Sequence, residues 1–218
     1  MALALFDLDN TLLAGDSDYL WGRFLVEQGI VDADTYEREN QRFYDDYREG
    51  RLDIQAFLAF SLRPLAEHDP ERLHAWREEF LRLMIDPIIL PAARELVERH
   101  RRAGDTLVII TATNSFVTGP IAQRFGVDHL LATEVEMKDG RYTGRSSGIP
   151  CFQNGKVERL QAWLAETGHS LAGSSFYSDS HNDLPLLERV ERPVAVDPDE
   201  ILRHHALGRG WPVISLRD

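Results

Sequence analysis

Two aspartates separated by one residue stand near the start of the chain, in the sequence Asp7-Leu8-Asp9-Asn10-Thr11 after the apolar run 2–6. In a β-strand, positions i and i+2 share a side, so Asp7 and Asp9 are expected to project together past the strand end. Neighbouring carboxylates repel each other unless a proton or a cation lies between them. Mg²⁺ suits such a pair because it prefers oxygen ligands and keeps waters and substrate phosphate in its shell. The pentapeptide alone is equally consistent with residues that cap a turn or the next helix.

Further polar residues occupy similar positions later in the chain. Thr111 ends the apolar run 106–110 and precedes a helical pattern, where its hydroxyl and the next amides can hold a phosphate oxygen. Lys156 falls in the first turn of a predicted helix, where the helix dipole disfavours a cation unless the cation faces an anionic site. Asp179 and Asp183 follow another apolar run. Each feature alone is also explained by local capping or by a solvated surface.

The elements that must position these residues alternate along the chain. Apolar runs that indicate buried strands lie at 2–6, 106–110, 174–177 and 193–196. Helical patterns lie at 91–103, 115–125 and 155–166, the last after a candidate cap at Asn154. Residues 132–144 indicate a hairpin that turns at Asp139-Gly140. This alternation predicts an α/β fold with a doubly wound parallel sheet that binds ligands at the carboxyl ends of its strands.

The segment between the first two strands interrupts this alternation. From about residue 14 to residue 86 the chain has no run of β-branched residues. Its hydrophobic pattern there predicts three or four amphipathic helices. We therefore expect a catalytic core formed by residues 1–14 and 87–218, with a helical cap, residues 15–86, inserted in it.

Composition narrows the classes of function. The chain has 218 residues, enough for one domain with an insertion, and its net charge of −12 repels nucleic-acid backbones and anionic lipids. We therefore expect no nucleic-acid partner. The apolar run 2–6 is too short for a signal-peptide core, and the chain has no apolar run of membrane-spanning length. With one cysteine, Cys151, the chain can form no intrachain disulfide, so we expect it in the cytoplasm. We expect no association with a membrane.

Taken together and in this order, these residues resemble the haloacid dehalogenase superfamily of aspartate-nucleophile phosphotransferases, over the whole chain. The cap after the first motif is similar to the phosphoserine-phosphatase-like branch, subfamily IB. The resemblance implies that Asp7 is the nucleophile that accepts the phosphoryl group and that Asp9 is the general acid and base. It further implies that Thr111, Lys156 and Asn182 bind phosphoryl oxygens, and that Lys156 restrains Asp7.

The same resemblance implies a magnesium cofactor. The expected metal residues are Asp7, Asp9 through its main-chain carbonyl, Asp179, and Asp183 in a supporting position. The ion offsets the repulsion between the nucleophile and the phosphate.

The choice of substrate depends on the cap. Asp16 occupies the position where phosphoserine phosphatases carry an acidic residue that meets the substrate ammonium. Those enzymes also use an arginine to bind the substrate carboxylate. An ungapped alignment with them places Ala59 at the position of that arginine. An alignment shifted by four residues brings Arg63 near the same face of the helix. The ungapped reading favours an amine-bearing phosphate ester without a carboxylate, such as histidinol phosphate. His181 is a further candidate substrate contact, or else an exposed loop residue.

Aromatic cap residues line the pocket or pack the cap interior; they are Trp21, Phe43, Tyr44, Tyr47 and Phe57. Within the enzyme class, phosphoserine phosphatase and small-alcohol phosphotransferase are alternatives. A phosphoacceptor signalling module uses a similar acidic cluster but needs no cap. A non-catalytic interaction protein would be expected to have a degraded acidic motif, whereas the motif is intact in this chain. The partner expected in every enzymatic reading is a small-molecule phosphate ester.

Overall fold

The computed structural model describes residues 2–217. Its strands are β1 (Leu3–Phe6), β2 (Thr106–Asn114), β3 (His129–Lys138), β4 (Arg141–Ser147), β5 (Ser175–Ser178), β6 (Arg192–Val196) and β7 (Val213–Ile214). They form one sheet in the order β4-β3-β2-β1-β5-β6-β7, in which every neighbouring pair is parallel except β3 with β4. With helices between its strands, the chain has the α/β doubly wound fold that the sequence predicts.

The central strand explains why the motif residues meet. All four residues of β1 are buried, as expected for an apolar run covered on both faces of a parallel sheet. Phe6 pairs with Ile109 of β2 on one side and with Tyr177 of β5 on the other. The carboxyl ends of these three strands therefore lie side by side, which brings Asp7, Thr111 and Asp179 to the same edge of the sheet.

A helical cap fills the segment between β1 and β2. Its helices are α1 (Ser17–Glu27), α2 (Ala33–Arg48), α3 (Ile54–Ser61), α4 (Arg63–Glu67) and α5 (Pro70–Phe80), and a wider turn at Leu81–Ile85 continues the last. The prediction of three or four helices was too low. Pro64, which has no backbone N–H, lies in the first turn of α4 and starts a new helix directly after α3. The boundaries of the cap at residues 15 and 86 stay a prediction.

The core helices are α6 (Pro91–Arg102), α7 (Ser115–Phe125), α8 (Asn154–Thr167), α9 (Leu184–Leu187) and α10 (Glu200–Arg209). The prediction of Asn154 as a cap was wrong, because Asn154 is already helical and Gln153 precedes it with φ 49° and no side-chain capping bond. β2 extends beyond the predicted end at residue 110, because its pairing with β3 continues to Asn114 and Thr133. The predicted hairpin is confirmed in β3 and β4, and both residues of its Asp139-Gly140 turn have positive φ.

The base of the cap is continuous with the core. Trp21 of α1 lies 5.2 Å from Phe80 and 5.6 Å from Phe116 of α7, measured between ring centroids. These rings share one hydrophobic cluster with Phe6 of β1. Trp21 is therefore a packing residue. Within residues 2–217 no helix is both long and apolar enough to cross a bilayer.

Candidate active site

Lys156 joins two carboxylates at the carboxyl end of the sheet. Its Nζ donates to Asp7 Oδ1 at 2.7 Å and to Asp183 Oδ2 at 2.8 Å, and its side chain is only 2% exposed. Burial opposes the charged form of Lys156, but Asp183 and Asp7 outweigh it and raise the lysine pKa above its ordinary value. Ser178 also donates to Asp183 Oδ2, at 2.7 Å. The predicted nucleophile is thus held by a buried lysine that is itself held by Asp183.

Thr11 connects the nucleophile to the next strand end. Its hydroxyl donates to Asp179 Oδ1 at 3.0 Å and lies 3.5 Å from Asp7 Oδ2, while the Asp179 amide donates to the same hydroxyl at 3.0 Å. Burial raises the pKa of Asp7 to about 7 despite Lys156. Burial, and then the charge of Asp7, raise the pKa of Asp179 well above its ordinary value. This part of the site has more negative charge than its lysine neutralises.

Asp9 shares a cavity with Asp7 but has its own hydrogen-bond donors. Its Oδ1 accepts from the Ser17 amide at 2.6 Å, and its Oδ2 accepts from the Thr113 hydroxyl at 2.7 Å. Burial, and then the nearby Asp16, raise the pKa of Asp9 to about 6. A carboxyl that titrates near neutral pH can release and take up a proton during turnover.

Thr113 is a site residue that the sequence reasoning missed. Thr111 and Thr113 are both buried and both line the cavity, and the Thr113 amide donates to the Thr111 hydroxyl at 3.3 Å. The signal was present as the i, i+2 spacing of two threonines, which places them on one side of an extended chain. It was overlooked because the strand was predicted to end at residue 110.

Asn182 connects the core to the cap. Its Nδ2 donates to the Tyr47 carbonyl at 3.0 Å, and its Oδ1 accepts from Gln153 Nε2 at 2.9 Å. These contacts hold the end of α2 over the loop that follows β5. Asn182 is buried but does not line the cavity that holds Asp7 and Asp9, so its predicted role in phosphate binding stays a prediction.

His181 lies on the other side of the same loop. Its Nδ1 and backbone amide both bond to Asp199 Oδ2, at 2.7 and 2.8 Å. Gly50 of the cap packs against the ring, and a Cβ at this residue of φ +69° would stand 2.8 Å from His181 Nε2. His181 thus contacts the cap and lines a second cavity beside Asp179, which shares Tyr44 and Tyr47 with the one that holds Asp7.

The cavity above Asp7 lies between the sheet edge and the first cap helices. Four of the five predicted aromatic residues line it, and the complete lining is Asp7, Asp9, Asp16, Asp18, Tyr19, Asn40, Phe43, Tyr44, Tyr47, Leu52, Ile54, Phe57, Thr111, Ala112 and Thr113. This lining, taken from residues 2–217, contains four aspartates and no lysine or arginine. The cavity therefore combines aromatic surface with negative charge.

The residues predicted to recognise the substrate do not all lie in the cavity. Asp16 lines the cavity, but it is also the N-cap of α1, where its Oδ1 accepts from the amides of Asp18 and Tyr19 at 3.0 and 2.8 Å. Arg63 is 57% exposed and pairs with Glu67 on the cap surface. Ala59 is exposed as well. Neither alignment, slipped or ungapped, brings a carboxylate-binding arginine into the cavity.

The donor set at the sheet edge fits a hard divalent cation. In the described part of the chain no three His, Cys, Asp or Glu side chains converge as metal ligands. Asp9 has its own donors, whereas Asp7, Asp179 and Asp183 share the charge of one lysine, which contacts Asp7 and Asp183. Asp7 and Asp179, joined by Thr11, therefore lie in a group with excess negative charge. Two carboxylates with a main-chain carbonyl and waters are a donor set that Mg²⁺ accepts.

Comparison with known proteins identifies the family. Residues 4–188 match the haloacid dehalogenase-like hydrolases. The chain belongs to this family. Within it, this hydrolase is a phosphatase of the phosphoserine-phosphatase-like branch, a phosphoric monoester hydrolase as predicted.

The relatives cover almost the whole chain. A histidinol-phosphatase of Neisseria meningitidis serogroup C (strain 8013) is 47% identical over 219 residues, which is 99% of each protein. A phosphoserine phosphatase of Mycobacterium tuberculosis (strain ATCC 25618 / H37Rv) is 33% identical over 219 residues, 99% of this chain and 71% of that one. A crystal structure from Bordetella pertussis Tohama I, of unknown function, has a TM-score of 0.93 and 50% identity, and the match covers 99% of this chain and 98% of that one.

Proposed function

We propose that this phosphatase hydrolyses histidinol phosphate in a Mg²⁺-dependent reaction with a phospho-aspartyl intermediate. The observation that carries the substrate assignment is the cavity lining, which offers aromatic rings and aspartates but no cation within residues 2–217. Histidinol phosphate has an amine and an imidazole and no carboxylate. The 47% identity to a histidinol-phosphatase supports the same choice.

The first half-reaction uses Asp7 as the nucleophile. One carboxylate oxygen of Asp7 forms a bond to phosphorus while the bond from phosphorus to the substrate alcohol breaks. Lys156, 2.7 Å from Asp7 Oδ1, favours the ionised form of the carboxylate against its burial and holds it in place. The electron pair of the broken bond stays on the alcohol oxygen, which takes the proton of Asp9.

The second half-reaction restores the enzyme. Asp9, now ionised, takes a proton from water, whose oxygen attacks phosphorus as the bond to Asp7 breaks, and inorganic phosphate leaves. The hydroxyl of Thr113, 2.7 Å from Asp9 Oδ2, keeps the carboxylate oriented through both transfers. Thr111 of β2, which lines the cavity, and Lys156 would bind the phosphoryl oxygens.

Asp7 and Asp179, with the main-chain carbonyl of Asp9, would hold Mg²⁺. When bound, the ion supplies positive charge that offsets the repulsion between the phosphate and the carboxylates. Asp183 would support this group through its contact with Lys156.

The proposal includes the setting of the enzyme. Cys151 is buried and free, and burial raises the pKa of its thiol to about 12, so it is unreactive. A free thiol fits a reducing compartment, and we expect the cytoplasm. The net charge of −12 disfavours nucleic acid as a partner.

A turnover screen tests the substrate. Purified enzyme with Mg²⁺ is offered histidinol phosphate, phosphoserine, phosphoethanolamine and phenyl phosphate, and kcat/KM is measured from phosphate release. We expect histidinol phosphate to rank first, because no cation in the cavity compensates the carboxylate of phosphoserine. A higher kcat/KM for phosphoserine would overturn the substrate assignment and favour the activity named for the mycobacterial relative.

Two added arms test the chemistry. With glycerol present, release of glycerol phosphate in place of inorganic phosphate would show a phosphotransferase. An acid quench during turnover should trap phosphate on the wild-type chain and not on Asp7→Asn. A phosphorylated chain that persists for hours after acetyl phosphate treatment would instead indicate a phosphoacceptor module.

A further inference from the structure

Asp18 is a buried carboxylate at the start of α1 that the proposed reaction does not use. Its side chain lines the cavity above Asp7, and the residue is 9% exposed. An acidic residue in the first turn of a helix commonly stabilises the helix dipole, but that contribution needs no burial. Burial of a carboxylate is unfavourable unless a donor or a cation compensates it.

No such compensation is present within residues 2–217. Asp16, two residues earlier, accepts two amide hydrogen bonds through one oxygen. By contrast, the Asp18 carboxylate takes part in no hydrogen bond or ion pair there. Burial, and then the charges of Asp16 and Asp9, raise the pKa of Asp18 well above its ordinary value.

The cavity wall contributed by α2 and α3 suits an organic cation. Phe43 and Phe57 line it with their rings edge to face, 5.4 Å apart between centroids. Asn40 of α2 donates to the Tyr19 carbonyl at 3.0 Å, and its amide packs on Gly22, where a Cβ would meet it at 2.7 Å. This contact holds α2 close to α1. A ligand that enters the cavity therefore meets a carboxylate and aromatic rings, which together favour a protonated nitrogen.

We propose that Asp18, and not Asp16, is the carboxylate that receives the protonated nitrogen of the substrate. Asp16 serves as the N-cap that places Asp18 at the cavity. The assignment rests on the proposed function for the identity of the ester, but it concerns any cationic phosphate monoester that the enzyme prefers.

A pair of charge-neutralising variants separates the two aspartates. Asp18→Asn removes the charge from the cavity, whereas Asp16→Asn removes a charge but keeps an oxygen that can cap α1. The readout is the ratio of kcat/KM for histidinol phosphate to kcat/KM for phenyl phosphate, which has no cation. We expect Asp18→Asn to lower this ratio by roughly tenfold or more, and Asp16→Asn to change it by less than about threefold. Asp18→Ser provides a second variant, and thermal unfolding confirms that each protein folds.

Two further measurements locate the contact. Isothermal titration with histidinol, the cationic product, should show weaker binding to Asp18→Asn than to Asp16→Asn. The kcat/KM for phosphoethanolamine distinguishes the nitrogens: a loss with both cationic esters assigns the ammonium to Asp18, and a loss with histidinol phosphate alone assigns the imidazolium.

The outcomes separate this inference from the proposed function. If the wild type prefers histidinol phosphate and Asp18→Asn keeps that preference, or Asp16→Asn loses it equally, the role of Asp18 is overturned and the function stands. If the wild type prefers phosphoethanolamine and Asp18→Asn abolishes that preference, the role stands and the named substrate is wrong. A wild type that prefers no cationic ester overturns both.

Discussion

The two sides of the active-site cleft differ in how fully their charges are compensated. On the core side, Asp7 and Asp183 share a buried lysine and Asp9 has two hydrogen-bond donors. On the cap side, Asp18 has no partner among the described residues. The groups that the proposed reaction uses are thus held in place before substrate binds, whereas Asp18, the group proposed to select the ester, awaits a charge from the ligand.

The largest expected effect on activity comes from substituting the proposed nucleophile on the core side. Asp7→Asn should lower kcat/KM by roughly four orders of magnitude or more for every ester, because Asp183, the other carboxylate on Lys156, is held by Lys156 and Ser178 and does not line the cavity. Phosphate release under saturating substrate measures it. Far-ultraviolet circular dichroism should match the wild type, since the Asp183–Lys156 contact remains. Near wild-type turnover would contradict covalent catalysis by Asp7.

A second substitution tests the proton-transfer residue. Asp9→Asn should lower kcat by roughly two to four orders of magnitude with little change in KM, as expected when a general acid and base is lost. Thr113→Val, which removes one donor to Asp9 and keeps its shape, is the matched control and should lose less. A raised KM with unchanged kcat would make Asp9 a binding residue.

The excess negative charge on the core side predicts metal-dependent stability. At 100 times its Kd, Mg²⁺ should add about 2.7 kcal/mol to the free energy of unfolding, because it binds only the folded chain. Differential scanning calorimetry would then show a higher Tm in Mg²⁺ than in EDTA, by roughly 5–10 °C for a chain of this size. Asp179→Asn should lose most of this shift. Equal shifts in both proteins would place the ion elsewhere.

The smallest expected effect comes from a substitution on the cap side, at the exposed residue Arg63. Arg63→Ala should change the free energy of unfolding by less than about 0.5 kcal/mol, because an exposed ion pair contributes little. It should also leave the ratio of kcat/KM for histidinol phosphate and phosphoserine unchanged. A selective loss of phosphoserine turnover in this variant would bring Arg63 back as a carboxylate reader.

The sequence predicted best what depends on buried runs and their ends. The bounds of the strand at residues 3–6, and the polar residues after it, were predicted to within one residue. A short apolar run that ends in aspartate is compatible with few other elements of secondary structure. The contact of Lys156 with Asp7 spans 149 positions along the chain. Only the resemblance to a family indicated that contact, since no local pattern fixes which helix start meets which strand end.

The cap was harder to predict for a local reason. Asp16 and Asp18 are both residues that favour a helix start, and which of them is the N-cap depends on α1 beginning at Ser17. A shift of two residues in that boundary would make Asp18 the N-cap and release Asp16. The role of Asp16 was therefore taken from the family position, and Asp18 was not considered.

The packing of Trp21 against the rings of Phe80 and Phe116 determines how the chain should lose structure. Since α1 and the end of α5 share a hydrophobic cluster with the sheet, they should exchange their amide hydrogens only when the core itself unfolds. By contrast, α2 and α3 each contribute one buried residue to that cluster, Tyr36 and Leu58, and α2 meets the loop after β5 through the Tyr47 carbonyl and Asn182. We therefore expect local opening to begin in α2 and α3, so that the boundary between cooperative units runs through the cap and not along its insertion points.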